Sequence, residues 1–467
     1  MQQVESLKGF HHIHFIGIGG IGVSALAQVL HSRGYLVTGS DPARNVVTER
    51  LEQMGIRIDH EHREENILGA SLLVVTSAAK ETNPEIQAAK AQRIPIWPRA
   101  KMLGCLVNDY RAIVITGAHG KTTLTALLTL LFIDTGLDPT AFIGGDVASL
   151  GGNARVGLGD WAIAEGDESD GSFVHLKPEI AIVNNIDADH LDFYENLDAI
   201  VDRFNTFLQG VRDQGWILHS ADCSQCRKLR PRPDCQVMTY GFSESADIRG
   251  VNYRAEKDSW GCDVLIHGKK TGELRLAISG QSQTHNALAA VAVSQIVGLP
   301  FPQVRESLSR FEGVKRRMEY KGSARGITIL DDYAHRPTEI RSTIQALRDR
   351  YAQRIIGIFQ PHLYSRTLKL IEEFGQAFRG LDQVILTDIY PAREKPIPGV
   401  TGEVLLEPVR KSGVDAQYIH LPETIPERIV PQLRKGDVVV TIGAGDIWKI
   451  GERILDRLLA EKESFAP

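Results

Sequence analysis

A glycine-rich turn with one lysine and two threonines is the strongest chemical pattern in this chain. Residues 117–123 read Gly-Ala-His-Gly-Lys-Thr-Thr, after the strand-like run Ala112–Thr116 and before a helical pattern. Such glycines let backbone N–H groups close on phosphate oxygens at a helix N-terminus. Lys121 would then reach the β- and γ-phosphates, and the Thr122 hydroxyl would bind Mg²⁺. The first glycine comes two residues later than in the full phosphate-loop pattern, so a purely structural turn is the weaker alternative.

A run of carboxylates follows the next predicted strand. Residues 165–170 read Glu-Gly-Asp-Glu-Ser-Asp, directly after the apolar run Trp161–Ala164. Carboxylates packed this closely repel one another unless a cation is present. Mg²⁺ takes oxygen ligands and usually only one or two carboxylates. Beside a phosphate loop the run predicts a Mg²⁺ site, with His190 beyond the strand-like Ile180–Asn185 facing the same crevice; a solvated turn is the alternative.

A second glycine turn lies near the start of the chain. Gly17-x-Gly19-x-x-Gly22 follows an apolar run, and Asp41 ends the next one. This spacing is typical of a dinucleotide site, so an NAD-dependent oxidoreductase is one interpretation. The turn itself binds a diphosphate and not a nicotinamide, and nothing else in the chain indicates hydride transfer. The turn by itself therefore indicates a ligand that contains a diphosphate.

These patterns require strands that alternate with helices, and the whole chain shows that alternation. Apolar strand-like runs recur as far as Val438–Ile442, with helical stretches between them. Strands alternating with helices predict an α/β fold with parallel sheets. We predict three α/β domains with boundaries near residues 109 and 314, which are 1–109, 110–314 and 315–467.

Composition excludes several classes of protein. The 467 residues are too many for one ordinary core, and a net charge of −5 with mixed signs indicates neither nucleic-acid nor membrane-surface binding. No long apolar run predicts a membrane span, and the start has no signal-peptide pattern. Five cysteines, an odd number, fit a reducing compartment, so we predict the cytoplasm. A zinc site could be formed by Cys223, Cys226, Cys235 and His219. The spacing lacks a second close pair of ligands, so a chance clustering of these residues is the better interpretation.

The order of motifs resembles that of the Mur ligases over essentially the whole chain. The motifs are Gly117–Thr123, Glu165–Asp170, Asn184–His190, His285–Ala290, Arg316–Glu319 and Asp331–His335. The resemblance implies a Rossmann-like N-terminal domain for the UDP substrate, a central P-loop ATPase-type domain for ATP, and a Rossmann-like C-terminal domain for the incoming amino acid. His14–Gly22, Asp167–Phe173 and Gln360–Thr367 look like the branch that joins L-alanine to UDP-N-acetylmuramate.

The resemblance also implies residue roles. Lys121 and its loop would hold the ATP phosphates, through Gly117, Ala118, His119, Gly120, Thr122 and Thr123. Thr122 and Glu165 would bind one Mg²⁺, and Glu165 and His190 a second. Asn286 and Asp332 would contact the adenosine, Arg317 the γ-phosphate, and Tyr333, His335 and Arg366 the amino acid. The UDP end would lie near Gly17, Gly19, Gly20, Gly22, Asp41 and Ser77.

Three positions depart from the family pattern. Ala118 replaces a threonine, Arg336 replaces a second histidine, and Leu363 stands where many relatives carry arginine. The backbone N–H of Ala118 survives its substitution, so we expect little loss at the phosphate loop. Leu363 bears on how the carboxylate of the amino acid is held.

The implied reaction forms an amide through an acyl phosphate, with Lys121, Glu165, His190, Arg317 and His335 as the catalytic set. His335 is the candidate for taking the amine proton. Three alternatives remain: a recycling ligase that attaches an intact peptide to the same sugar nucleotide, a non-catalytic nucleotide-binding module, and the NAD-dependent oxidoreductase. The expected partners are the small-molecule substrates, ATP and Mg²⁺, and the sequence predicts no oligomeric state.

Overall fold

The computed structural model describes residues 7–76, 78–188, 193–255, 260–277, 280–392 and 394–460. The chain divides into two compact units. The first unit is built mainly from residues up to 311, and the second mainly from residues 312 onward. The first unit contains two β-sheets and the second contains one.

The first sheet is five-stranded and parallel, in the order β3-β2-β1-β4-β5. Its strands are β1 (His12–Ile16), β2 (Leu36–Ser40), β3 (Arg57–Asp59), β4 (Leu72–Val75) and β5 (Ile96–Pro98), and its helices are α1 (Ile21–Ser32), α2 (Val46–Gln53), α3 (Pro84–Ala91) and α4 (Arg99–Val107). The side chain of Asn83 caps α3, whose first residue is a proline, as the sequence pattern predicts. Gly34, at φ +85°, follows the end of α1, because a left-handed residue closes a helix there.

The second sheet has ten strands in the order β15-β14-β13-β12-β11-β10-β6-β9-β7-β8. Its strands are β6 (Arg111–Thr116), β7 (Thr140–Val147), β8 (Gly152–Arg155), β9 (Trp161–Glu165), β10 (Ile180–Val183), β11 (Trp216–Ser220), β12 (Gln236–Gly241), β13 (Ile248–Ala255), β14 (Trp260–Ile266) and β15 (Lys269–Leu276), and its helices are α5 (Lys121–Asp134), α6 (Leu197–Leu208), α7 (Gln281–Val297) and α8 (Phe301–Ser309). The middle strands are parallel and read as unbroken apolar runs, because helices cover both of their faces.

The third sheet has six strands in the order β16-β17-β21-β18-β19-β20, and only the β16–β17 pair is antiparallel. Its strands are β16 (Glu319–Ala324), β17 (Ile327–Asp332), β18 (Ile355–Phe359), β19 (Gln383–Thr387), β20 (Asp415–Ile419) and β21 (Val438–Ile442), and its helices are α9 (Pro337–Arg350), α10 (Tyr364–Lys369), α11 (Ile371–Ala377), α12 (Leu406–Lys411), α13 (Ile425–Ile429) and α14 (Trp448–Ala460). Phe359, Phe374 and Phe378 pack together in the core on one face.

Short 3₁₀ helices connect several of these elements, at Glu64–Ile67, Ala148–Leu150, Ser172–His175, Cys226–Lys228, Gly402–Leu405, Pro422–Thr424 and Val430–Gln432. None of the helices in the described ranges has the length and apolar character needed to cross a membrane. The α/β class with parallel sheets is as the sequence predicts. The antiparallel β7–β8 pair at one edge of the second sheet is a feature that we did not predict.

Candidate functional site

The turn at residues 117–123 lies between β6 and the first residues of α5, as predicted. Gly117 has φ +131° and Gly120 has φ +82°, in the region that disfavours every side chain. A Cβ on Gly120 would lie 2.5 Å from Asn184 Nδ2 and 2.9 Å from Asn286 Oδ1. Gly117 is therefore required by its backbone conformation and by its close approach to Asn185. Gly120 is required by its conformation and by the side-chain amides of Asn184 and Asn286 that pack against it.

Two asparagines after β10 hold the phosphate loop from the side. The backbone N–H of His119 donates to Asn185 Oδ1 at 2.7 Å, and the amides of Asn184 and Asn185 donate to the His119 carbonyl at 2.9 and 3.0 Å. Asn184 also donates to Asn286 Oδ1 at 3.0 Å and accepts from the Tyr240 hydroxyl at 2.8 Å. The network fixes the loop and places Asn286, on α7, against it.

Lys121 is held by a buried carboxylate. Its Nζ lies 2.9 Å from Glu168 Oε1 and also donates to the Gly117 carbonyl. Burial lowers the pKa of Lys121, but the carboxylates of Glu168, Asp167 and Glu165 outweigh that effect and raise it. Glu168 is 3% exposed, and the Tyr194 hydroxyl donates to its backbone carbonyl at 2.6 Å. These carboxylates thus favour the ammonium form of Lys121, at the first residue of α5.

Glu165 ends β9 next to the phosphate loop. The Thr122 hydroxyl donates to its Oε2 at 3.0 Å, and the backbone N–H of Gly144 donates to its Oε1. A carboxylate and a hydroxyl are oxygen donors of the kind that Mg²⁺ prefers, so this pair fits the metal that the sequence predicts. Across the described residues, no group of three or more His, Cys, Asp or Glu side chains could hold a metal ion by itself. His190 lies outside the described residues.

The first glycine turn joins β1 to α1. Gly17, at φ +74°, donates to the Ser40 carbonyl at 2.8 Å, and Gly20 donates back to the Gly17 carbonyl at 3.1 Å. The Asp41 carboxylate accepts from the Gly19 N–H at 2.9 Å and from the Ala43 N–H at 2.9 Å. Asp41 therefore shapes the turn, which is a different use from binding a ribose hydroxyl. Ser77, predicted beside the same ligand, lies outside the described residues.

One arginine links the first glycine-rich turn to the acidic run inside the first unit. Arg99, the first residue of α4, lies where a Cβ on Gly22 would meet its Nη1 at 2.9 Å, and its Nη2 lies 3.3 Å from Asp167 Oδ2. Burial raises the pKa of Asp167, but the positive charges of Lys121 and Arg99 outweigh that and lower it. Arg99 thus extends from the start of α1 to the acidic run.

A buried asparagine makes a second connection in this unit. Asn153, on β8 and 0% exposed, donates to the Ile21 carbonyl and to Ser24 Oγ at 2.6 and 2.9 Å and accepts from Gln28 Nε2 at 3.3 Å. Helix α1 therefore packs directly on the β7–β8 pair. This pairing fixes the first sheet against the second.

In the second unit, Arg316 and the two aspartates of β17 form one network. Arg316 lies 3.2 Å from Asp331 Oδ2 and donates to the carbonyls of Gly443 and Ala444. Burial raises the pKa of Asp331 to about 6, against the opposing charge of Arg316. Asp332 accepts from the N–H groups of Met318 and Ala334 and from the Thr343 hydroxyl. The Asp332 carboxylate is 5% exposed and organises this loop from within.

Aromatic and basic side chains gather at the carboxyl ends of β17 and β18. The guanidinium groups of Arg316 and Arg317 lie 4.9 and 5.1 Å from the Tyr333 ring. His335 lies 5.4 Å from that ring and 5.7 Å from the ring of His362, measured between centroids. Because these strand ends share one edge of the sheet, Arg317, Tyr333 and His335 lie close together.

Arg366 and Leu363 border this cluster. Arg366 Nη1 lies 3.4 Å from His362 Nδ1, on the first turn of α10. Leu363, which precedes α10, is buried with φ +71°, a conformation that branched side chains adopt at a cost. Its N–H donates to the Tyr390 carbonyl at 3.0 Å, which holds the strained residue in place.

His335 has a defined environment. Its Nδ1 lies 3.0 Å from the Tyr333 carbonyl and 3.3 Å from Glu339 Oε2. A carbonyl only accepts, so Nδ1 carries the proton and Nε2 carries the lone pair. Burial, joined by the charges of Arg366 and Arg317, lowers the pKa of His335 despite Glu339. The imidazole is therefore neutral near pH 7.

Several residues of these networks have no role in our sequence interpretation. Asn184 and Asn185 contact His119, and Glu168 contacts Lys121. Arg99 lies beside Gly22, and Asn153 donates to Ile21 in the same turn. Asn184 and Asn185 belong to a motif from which we used only the histidine. Their position directly after a buried strand could have indicated that they lie at the site. Arg99 and Asn153 carried no such signal, because their partners lie 68 and 132 residues away.

Comparison with known protein families assigns three models along the chain. Residues 12–111 match the Mur ligase family catalytic domain, residues 115–294 match the Mur ligase middle domain, and residues 316–445 match the Mur ligase glutamate ligase domain. Together they span the three sheets and both units.

Individual proteins are similar over nearly their whole lengths. A UDP-N-acetylmuramate–L-alanine ligase of Geobacter sp. (strain M21) is 43% identical over 97% of this chain and 98% of its own length, and one of Desulfotalea psychrophila is 42% identical over 96% and 98%. The crystal structure of the UDP-N-acetylmuramate–alanine ligase of Thermotoga maritima superposes with a TM-score of 0.84 at 29% identity, covering 96% of this chain and 99% of that one. A murein peptide ligase of Psychrobacter arcticus, with a TM-score of 0.70 at 24% identity over 96% and 99%, shares the fold. The chain belongs to the Mur ligase family.

Proposed function

We propose that this protein joins L-alanine to the lactoyl carboxylate of UDP-N-acetylmuramate, converting ATP to ADP and phosphate, in the synthesis of peptidoglycan precursors. The observation that carries the proposal is 43% identity to an L-alanine ligase over 97% of the chain. Lys121 of the phosphate loop and the neighbouring carboxylate Glu165 are both present, which supports ATP-dependent chemistry. The family match weighs against an NAD-dependent oxidoreductase, and the use of Asp41 within its own turn agrees with that.

The reaction needs activation, because a carboxylate has no leaving group that an amine can displace in water. A carboxylate oxygen of the sugar nucleotide attacks the γ-phosphorus of ATP, and ADP leaves. The amine of L-alanine then attacks the acyl phosphate at carbon, and phosphate leaves. Such phosphoryl transfer depends on positioning and on stabilising charge, for which the sequence offers Lys121 and Arg317.

Lys121 must exchange partners for this step. In the structure its ammonium pairs with Glu168 at 2.9 Å. We propose that the ATP phosphates take over this ammonium, while the backbone N–H groups of residues 120–123, at the start of α5, bind the remaining phosphate oxygens. Thr122 and Glu165 would hold Mg²⁺, with His190 near a second ion; Mg²⁺ would neutralise phosphate charge.

The residues of the second unit are proposed to bind the acceptor. Arg366 would pair with the carboxylate of L-alanine, and Tyr333 would line the same pocket. His335 presents a neutral imidazole whose Nε2 lone pair can take a proton from the ammonium of L-alanine, leaving the neutral amine that attacks. Asn286 and Asp332 remain the proposed adenosine contacts. The UDP end is proposed to bind the turn at Gly17, Gly19, Gly20 and Gly22, near Asp41 and Ser77.

We also propose a cytoplasmic location. All five cysteines are free thiols, which suits a reducing compartment. Nucleotide substrates are consistent with the same compartment.

The test is phosphate release from ATP and Mg²⁺ in the presence of UDP-N-acetylmuramate. L-Alanine, the intact cell-wall tripeptide and no acceptor are compared, and products are weighed by mass spectrometry. We expect release with L-alanine and a product heavier by one alanyl residue. Release with the tripeptide alone would move the protein to the recycling branch, and no release with either acceptor would contradict ligase activity.

A further inference from the structure

Cys223 and Cys226 form a dithiol beside the phosphate loop. They belong to Cys223-Ser-Gln-Cys226, between β11 and the short helix Cys226–Lys228. Cys226 is 1% exposed and points at the Val183 carbonyl, with Sγ 3.9 Å from the oxygen, while Cys223 is half-buried. Cys223 Sγ lies 3.7 Å from the Ile186 carbonyl oxygen, so both sulfurs lie against the end of β10 and the residues that follow it.

The surroundings of Cys223 favour its thiolate. The Ile186 N–H donates to Cys223 Sγ at 3.4 Å. The Cys226 thiol, with further help from the backbone of Ile186, Cys226 and Gln225, lowers the pKa of Cys223 to about 5, although burial opposes the shift. The neighbouring Cys223 and burial both raise the pKa of Cys226. A lowered pKa on the half-buried thiol and a raised pKa on its buried neighbour are the usual pairing of a redox-active Cys-x-x-Cys.

The dithiol contacts the segment that holds the phosphate loop. Ile186, its hydrogen-bond partner, directly follows Asn184 and Asn185 in the chain. Those two asparagines hold His119 of the loop, at 2.7 to 3.0 Å. A change at Cys223 would therefore act first on Ile186 and then on the two asparagines that contact the loop.

We propose that Cys223 and Cys226 are a redox modification site whose disulfide weakens nucleotide binding at the phosphate loop. In the disulfide, Cys223 has no negative charge to accept the Ile186 N–H. Its sulfur must also turn toward Cys226. The Asn184–Ile186 segment loses that anchor, and with it the fixed geometry of the loop. The effect on nucleotide binding rests on the function proposed above, whereas formation of the disulfide does not.

A hydroperoxide is the oxidant that balances the step. The Cys223 thiolate attacks the terminal oxygen, the O–O bond breaks, and the product is a sulfenic acid plus water or an alcohol after protonation. The sulfur of Cys226 then loses its proton and attacks the sulfur of Cys223. The S–S bond forms and the sulfenic oxygen leaves as water, so two thiols have supplied the two electrons that reduce the peroxide.

The experiment oxidises the full-length protein with hydrogen peroxide, maps disulfides by peptide mass spectrometry, and titrates ATP with Mg²⁺ before oxidation, after it, and after re-reduction with dithiothreitol. We expect a Cys223–Cys226 disulfide and a roughly fivefold to tenfold loss of ATP affinity, the scale of one or two lost hydrogen bonds. Re-reduction should restore affinity in the same sample, which separates the disulfide from irreversible damage.

Two variants sharpen the test. Cys226→Ser retains the nucleophile without its partner, so dimedone should label Cys223 as sulfenic acid and no disulfide should form. Cys105→Ser, on α4, should behave as the wild type. Absence of the Cys223–Cys226 disulfide, or a disulfide with unchanged ATP affinity, would overturn the proposal. A reduced protein that binds no ATP would instead refute the proposed function, while the mapping would still report on the dithiol.

Discussion

Lys121 is the residue on which the proposed phosphate chemistry depends, and the structure gives it a competing internal partner, Glu168. Its pairing with Glu168 keeps the ammonium charged and aimed across the loop before any nucleotide binds. Because Glu168 is buried, the pair is shielded from salt in a way that surface ion pairs are not. Nucleotide binding therefore includes the cost of releasing Glu168 from its cation.

Replacing Lys121 should remove catalysis and leave sugar-nucleotide binding. We expect Lys121→Ala to lower kcat by about 10²–10³-fold, the range for losing one preorganised charge-stabilising group. UDP-N-acetylmuramate binding, measured by calorimetry, should be nearly unchanged. The control is Lys228→Ala, which removes a half-exposed lysine from the same unit. Equal loss of sugar-nucleotide binding and turnover would contradict separate sites.

The proposed role of Glu165 as a Mg²⁺ ligand can be tested by removing its charge. Glu165→Gln keeps the shape of the side chain and can still accept from Thr122, but it removes the negative charge. We expect activity to need roughly tenfold more Mg²⁺, the scale of an altered metal ligand. Glu179→Gln is the matched control, since that carboxylate pairs with Arg111 at the start of β6. An unchanged Mg²⁺ dependence in Glu165→Gln would remove Glu165 from the metal site.

The burial of His285 leads to a prediction of how the free energy of unfolding depends on pH. It lies on α7 with Nε2 2.8 Å from Ser220 Oγ, and burial lowers its pKa to about 4 despite Asp222. A histidine whose pKa is depressed on folding contributes stability above its unfolded pKa of about 6.5, and that contribution is lost as the pH falls. Between pH 7.5 and 5.5, urea unfolding of the wild type should therefore lose roughly 1 kcal/mol more than unfolding of His285→Gln. Identical losses in the two proteins would contradict a neutral buried His285.

At the scale of elements, the strand–turn–helix from β6 to α5 does most of the positioning. The two glycines let the backbone turn tightly, and the loop after β10 supports the turn from the side. Parallel strands end at one edge of a sheet, so Thr122, Glu165 and Asn184 come together without being close in sequence.

A pair of glycine substitutions separates backbone strain from close packing. Gly120 and Gly136 flank α5 with φ +82° and +79°, but only Gly120 has atoms where a Cβ would go. We expect Gly120→Ala to weaken ATP binding by roughly 10- to 100-fold, because overpacking costs about 1–3 kcal/mol. Gly136→Ala should carry the backbone cost alone and bind ATP normally. Equal ATP affinities in the two variants, by fluorescence titration, would refute the packing argument.

Much of this local structure could be predicted from the sequence. The phosphate loop, the acidic run and the ends of β6, β9 and β10 are contiguous patterns, in which glycines and apolar runs have direct conformational meaning. The pairing of Lys121 with Glu168 could not be predicted, because any of four neighbouring carboxylates was a possible partner. The left-handed Leu363 was equally hidden, since its conformation is imposed by Tyr390 and α10 and not by a local preference.

At the scale of the molecule, the two glycine-rich turns belong to one compact unit and the proposed amino-acid residues to the other. The family models and the three sheets agree with the predicted three-domain fold. The domain boundaries near 109 and 314 stay predictions. Asn153 and Arg99 explain why the first two sheets behave as one unit, and such long-range polar contacts leave no periodic pattern in a sequence.

The two ligands of the first unit should therefore stabilise it in separable ways. At concentrations 100 times the Kd, each ligand should stabilise the folded first unit by about 2.7 kcal/mol. Hydrogen–deuterium exchange should show slower exchange in β1 and β6 with either UDP-N-acetylmuramate or ATP. In Lys121→Ala, protection by ATP should fall and protection by the sugar nucleotide should remain. Loss of both protections would contradict two sites in one unit.

The ion pair of Lys121 also bears on inhibitor chemistry. Amine-directed warheads, such as activated esters and sulfonyl fluorides, react with a neutral amine. Glu168 holds Lys121 as an ammonium, which has no lone pair to offer. Covalent compounds aimed at this lysine would therefore have to displace or neutralise Glu168 first, and a scaffold that brings its own hydrogen-bond donor to that carboxylate is the rational starting point.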